Sequence, residues 1–156
     1  WRIGDTYHTA IGQYGFQVTP IEMVRATAAI ANDGTHIPQH FNFVAYAKTA
    51  ETTNIGLDKA DFDVVQQGMR LCVTESTCKA LDVPYVQVAA KTGTAQLGVA
   101  KNKVNSWVIG FFPYDNPKYA FTIMMEAGPS TNTEGASVVA GELLNWMSVN
   151  TPDYFK

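Results

Sequence analysis

Ile21, Val24, Ala28 and Ala31 recur at helical spacing. Three start signals precede them in Thr19-Pro20-Ile21-Glu22. Thr19 can cap, Pro20 suits the first helical position, and Glu22 falls where a capping box wants its carboxylate. Asn32-Asp33-Gly34 supplies the stop. A second helix is expected over residues 58–74, where Phe62, Val65, Met69 and Cys72 repeat with the same period and Gly68 weakens it only locally. Residues 1–18, rich in Gly, Thr and Tyr, read as an ordered loop. Residues 41–46 form a short apolar strand candidate, followed by a polar Thr/Asn/Gly loop.

The pattern then changes. Residues 85–95, 106–114 and 118–127 are β-branched and aromatic runs. Asp115-Asn116-Pro117 joins the last two tightly, which predicts an antiparallel hairpin. Both of those runs are largely apolar, as expected for strands covered on two faces. After a polar loop at 128–133, residues 135–148 read as an amphipathic helix with Val139, Leu143 and Trp146 on its apolar face. The order of elements gives an α+β fold with an antiparallel sheet and packed helices.

Composition narrows the function classes. A 156-residue chain can bury a substantial core, and 46% apolar with 16% charged residues is globular. A net charge of -3, with the 11 basic residues scattered, gives no footprint for nucleic acid. No apolar run reaches the ~18 residues of a membrane-spanning helix, and no leader-like segment is seen. The first residue is Trp1, inside what already reads as structured sequence, so the chain is expected to be a piece of a longer one. Cys72 and Cys78 are too few for a structural zinc site without a convergent His. Six residues apart across a helix end, they are either a small-loop disulfide or two small buried thiols. His8, His36 and His40 have no carboxylates at metal spacing, and no cofactor is implied.

The chemistry is concentrated in Lys91-Thr92-Gly93-Thr94, inside an expected strand. Lys and Gly both pack poorly there, and local rules broken inside a strand often mark a site. A strand lining a cleft can present a cation and two hydroxyls to an anionic ligand. Gly93 lets that ligand lie against the backbone, and an exposed N–H can polarise a carbonyl. Taken alone, four residues are also compatible with a plain edge strand beside a turn.

The flanking sequence adds a family. VAAKTGTAQ followed by NSWVIGFFPYDNPKYAFTIMMEAG resembles the C-terminal half of the transpeptidase domain of class B penicillin-binding proteins, most similar to the cell-elongation type. Upstream, GDTYHTAIGQYGFQVTPIEMVRATAAIANDGT and GMRLCVTESTCKALDV resemble segments of the same domain in the same order. Tyr14-Gly15-Phe16 departs from the commoner Gly-Tyr order, which alters a turn. That family carries S-x-x-K with the nucleophile, then S-x-N, then K-T/S-G. This chain has literal copies of the first two, and each is rejected. Ser76-Thr77-Cys78-Lys79 lies fifteen residues before Lys91, between a helix and the strand, whereas the family's nucleophile opens a helix far upstream. Ser130-Thr131-Asn132 and Ser148-Val149-Asn150 fall after the third motif. Residues 1–156 are therefore expected to be the C-terminal portion of the domain, without the nucleophile and inactive alone.

The resemblance implies a serine that attacks the penultimate D-alanyl carbonyl of a peptidoglycan stem peptide, and that β-lactams acylate. It assigns Lys91 positive potential beside the S-x-N serine, and the hydroxyls of Thr92 and Thr94 the substrate or drug carboxylate. Gly93 gives the ligand room, and the Thr94 N–H joins the oxyanion hole. The remainder of the domain is the implied protein partner, and it would cover apolar surface left open here. One N-terminal membrane helix would anchor the intact protein, its catalytic domain outside the cytoplasmic membrane. The alternatives are a non-catalytic sensor or ligand-binding module and a β-lactamase. Gln96 can face the cleft or solvent, Trp107 is expected in the core, and Glu126 and Glu134 flank the loop after the last strand.

Overall fold

A computed structural model describes residues 1–13, 17–36 and 53–156 of the chain. The strand candidate at 41–46, Tyr14-Gly15-Phe16, His40 and the His36 side chain lie outside what is described. The elements run α1 (Ile3–Ala10), α2 (Pro20–Ala31), β1 (Thr35–His36), β2 (Thr53–Asn54), α3 (Lys59–Glu75), β3 (Ala89–Leu97), β4 (Lys103–Phe112), β5 (Tyr119–Pro129) and α4 (Ala136–Asn150), with short 3-10 turns at Lys79–Leu81 and Pro152–Phe155.

The expected capping box starts α2. Glu22 N donates to Thr19 Oγ1 at 3.4 Å, and Thr19 N donates back to Glu22 Oε2 at 2.7 Å. That backbone bond, and then the Thr19 hydroxyl, hold the Glu22 carboxyl below its ordinary range. At the other end Asp33 and Gly34 take positive φ, as a helix stop requires.

β3, β4 and β5 form one antiparallel sheet in that order, so among the described residues β3 is an edge. Alternation sends successive side chains to opposite faces. Ala90, Val108 and Phe112 join Cys72, Val73, Leu81, Ala140 and Leu144 in one core cluster, under α4. Ala89 and Phe111 point the other way, packing with Met69 of α3 and Ile30 of α2. The sheet is thus covered on both faces, as the apolar runs predict. Phe111 is fully buried, which is worth roughly 1.5–3 kcal/mol.

Three expectations change. Residues 1–18 contain α1, at whose start Arg2 N donates to Asp5 Oδ2 at 2.7 Å; the helix buries no side chain, and its apolar Ile3 and Tyr7 are exposed. β3 begins at Ala89 rather than at residue 85, because residues 84–86 turn and 87–88 only lead in. The packed face of α4 is the larger correction. Val139, Leu143 and Trp146 are exposed, whereas Ala136, Ala140, Gly141 and Leu144 are buried. Small residues let α4 close on the Lys79–Leu81 turn. A Cβ on Gly141 would sit 2.3 Å from the Ala80 carbonyl oxygen.

Cys72 and Cys78 form a disulfide with Cα atoms 5.1 Å apart, resolving the choice left open by the sequence. Both residues are buried in the α4-side core. Cys78 N also donates to Cys72 O at 2.9 Å, closing the same loop through the backbone.

Candidate active site

The four residues singled out by the sequence lie together on edge strand β3, paired with Ile109, Val108, Trp107 and Ser106 of β4. Thr92 shares a face with buried Val108, towards α4, and Thr94 is in phase with it. Lys91 starts on the α2 face, but its side chain folds round the edge and Nζ donates to Thr92 O at 2.6 Å. Gln13, just beyond α1, donates from Nε2 to Thr94 O at 2.9 Å.

These two contacts fix which way the backbone faces. In an antiparallel ladder the N–H and C=O of one residue point to the same side. The carbonyls of Thr92 and Thr94 are met from outside the sheet, so the N–H groups of both residues also face the free edge. The ammonium of Lys91 and the Thr94 N–H therefore serve one side of the strand. Gly93 lies opposite Trp107, and a Cβ there would be 3.6 Å from the Trp107 Cβ, an ordinary contact. Packing among the described residues does not demand glycine there. Trp107 itself is half-buried rather than fully in the core.

A further contact enters from the loop closed by the disulfide. The Thr77 and Thr92 hydroxyl oxygens are 2.6 Å apart, and Thr77 Oγ1 lies 3.4 Å from Cys72 Sγ. Neither Thr77 nor Gln13 was singled out in the sequence. Each acts across the fold, and neither breaks a local rule.

Residues 1–145 match the family model of the penicillin binding protein transpeptidase domain. The chain belongs to that family. It is 29% identical over 149 residues to the peptidoglycan D,D-transpeptidase MrdA of Acinetobacter baumannii, a match covering 82% of this chain and 22% of that protein. Its fold matches penicillin-binding protein 2 of Helicobacter pylori with a TM-score of 0.77 and 33% identity, covering 99% of this chain and 28% of that one. The same Helicobacter protein in complex with MreC aligns with a TM-score of 0.75 and 30% identity, over 97% of this chain and 29% of that one. The chain thus spans about a quarter of the length of these penicillin-binding protein 2-type relatives.

Of the literal motif copies, Ser76 is the exposed residue that ends α3. Ser130 follows β5, and the Asn132 side chain accepts from Glu134 N at 3.2 Å within its own turn. Ser148 donates to Asn145 O at 2.7 Å inside α4. Gln96, Glu126 and Glu134 are exposed, and His8 lies exposed in the last turn of α1. Among the described residues, no group of His, Cys, Asp or Glu is placed to hold a metal ion. Among the same residues, no helix is long and apolar enough to cross a membrane.

Proposed function

We propose that this chain is the C-terminal part of a serine-type peptidoglycan D,D-transpeptidase domain, with β3 as the wall against which the substrate lies. The observation that carries the proposal is the outward-facing Thr94 backbone beside Lys91, on a side of β3 where no other described strand pairs. Its N–H would stabilise the oxyanion of the tetrahedral intermediate, together with the N–H of a serine supplied by the preceding part of the domain. Lys91 would hold positive potential there and ease proton transfer to and from that serine's neighbours. The hydroxyls of Thr92 and Thr94 would take the carboxylate of a stem peptide or a β-lactam, and Gly93 would leave it room.

The covalent step belongs to the serine. Its oxygen attacks the D-alanyl carbonyl as its proton passes to a neighbouring base, the oxyanion collapses, and the amide nitrogen takes up that proton so that the terminal D-alanine leaves as a free amine. An amine of a second stem peptide then displaces the serine and forms the cross-link. With no serine of this chain on the β3 edge, the chain alone would be inactive.

The exposed stripe of Val139, Leu143 and Trp146 on α4 supports the same proposal, being the surface expected where the rest of the domain packs. In the intact protein that domain would stand outside the cytoplasmic membrane on an N-terminal anchor, and a partner resembling MreC is a candidate by similarity.

Thr94→Pro in the complete domain tests the assignment. The Thr94 N–H faces away from β4, so proline removes the oxyanion donor without breaking a ladder bond. Acylation by a β-lactam should slow by ~100-fold or more. An unchanged rate in a folded variant would contradict the oxyanion role.

A further inference from the structure

We propose that Thr77 is a positioning residue for anion recognition, acting through the hydroxyl of Thr92. This rests on the reading of β3 as a transpeptidase wall and adds a residue to it. The ligand class is a carboxylate, whether of a peptide or of a β-lactam.

Thr77 has little freedom to be elsewhere. It precedes Cys78, which is fully buried, disulfide-bonded to Cys72 and hydrogen-bonded to it through the backbone at 2.9 Å. This closed loop presents the Thr77 hydroxyl 2.6 Å from that of Thr92, fifteen residues along the chain. Thr77 itself is exposed.

The direction of the bond follows from counting protons. Each threonine hydroxyl has one to donate. The Cys72 sulfur, 3.4 Å from Thr77 Oγ1, is part of a disulfide and has none. Thr77 can therefore donate either to that sulfur, a weak acceptor, or to the Thr92 oxygen. When an anionic oxygen arrives at Thr92, the Thr92 hydroxyl donates its hydrogen bond to it, because charge-assisted bonds are the stronger ones. The Thr92 oxygen is then left as an acceptor, and Thr77 donates to it. The result is a chain from Thr77 to Thr92 to carboxylate, in which the first bond strengthens the second. The same bond holds Thr92 in one rotamer before the ligand arrives, reducing the ordering cost of binding.

The test uses the complete protein and the variants Thr77→Val, which keeps the shape without the hydroxyl, and Thr77→Ser, which keeps the hydroxyl. Acylation by a β-lactam is followed across concentrations, separating the dissociation constant of the non-covalent complex from the limiting acylation rate. Thr77→Val should raise the dissociation constant roughly five- to tenfold, the loss expected for one hydrogen bond between neutral hydroxyls. The limiting rate should change less than about twofold, since Thr77 touches no reacting atom. Thr77→Ser should restore the wild-type constant. The methyl ester of the same β-lactam, which has no carboxylate, should bind wild type and Thr77→Val equally. An unchanged dissociation constant in Thr77→Val, a defect confined to the limiting rate, no rescue by serine, or an equal loss with the ester would each overturn the proposal. A wild-type protein that takes no β-lactam into covalent linkage would defeat the functional reading itself, and this inference with it.

Discussion

Gln13 donates its side-chain amide to the carbonyl of Thr94, 81 residues away, at 2.9 Å. A helix that buries nothing is thereby tied to the strand proposed to hold the oxyanion donor. Gln13→Ala should loosen α1 more than it destabilises the whole, because a single exposed hydrogen bond is worth about 1 kcal/mol or less. Hydrogen exchange is the appropriate measurement. Residues 3–10 should lose protection in the complete domain, with the β4 amides unchanged. Equal protection of α1 in the variant would show that Gln13 does not hold it.

The Cys72–Cys78 disulfide closes a short loop, so its entropic contribution is modest. Loop-closure entropy gives about 2 kcal/mol for the double variant Cys72→Ala/Cys78→Ala. Urea unfolding of the complete domain should show a loss of that size at an unchanged slope. A loss below about 0.5 kcal/mol would mean that neither the cross-link nor the packing of the two sulfurs holds this corner.

Glu22 gives a dependence on pH whose sign is fixed. Its folded carboxyl titrates below its ordinary value of 4.5, chiefly because it accepts from the Thr19 backbone N–H. The ionised form is therefore favoured by folding. Its contribution is fully present above the ordinary value and disappears as pH falls through the lowered one. Wild type and Glu22→Gln should differ in stability at pH 7 and converge in acid. A difference that grows on acidification would contradict the capping role.

What was legible in the sequence follows the range of the forces involved. The start of α2 was readable because Thr19, Pro20 and Glu22 act within one turn. The β4–β5 hairpin was readable because apolar runs flank a short polar connection. The face of α4 was not, because hydrophobicity marked Val139, Leu143 and Trp146, whereas close approach selected Ala140 and Gly141. α1 escaped because its Ile3 and Tyr7, one turn apart, stand among Gly and Thr residues that read as loop. At the site, Lys91 to Thr94 stood out by breaking strand rules. Gln13 and Thr77 obey local rules, and only the fold brings them to β3.

Covalent labelling by a fluorescent penicillin tests most directly whether β3 is a wall whose nucleophile lies elsewhere. The complete domain should be labelled, and this chain by itself should not. Labelling of the chain alone, abolished by Ser76→Ala, would contradict the account and make the residue that ends α3 the nucleophile.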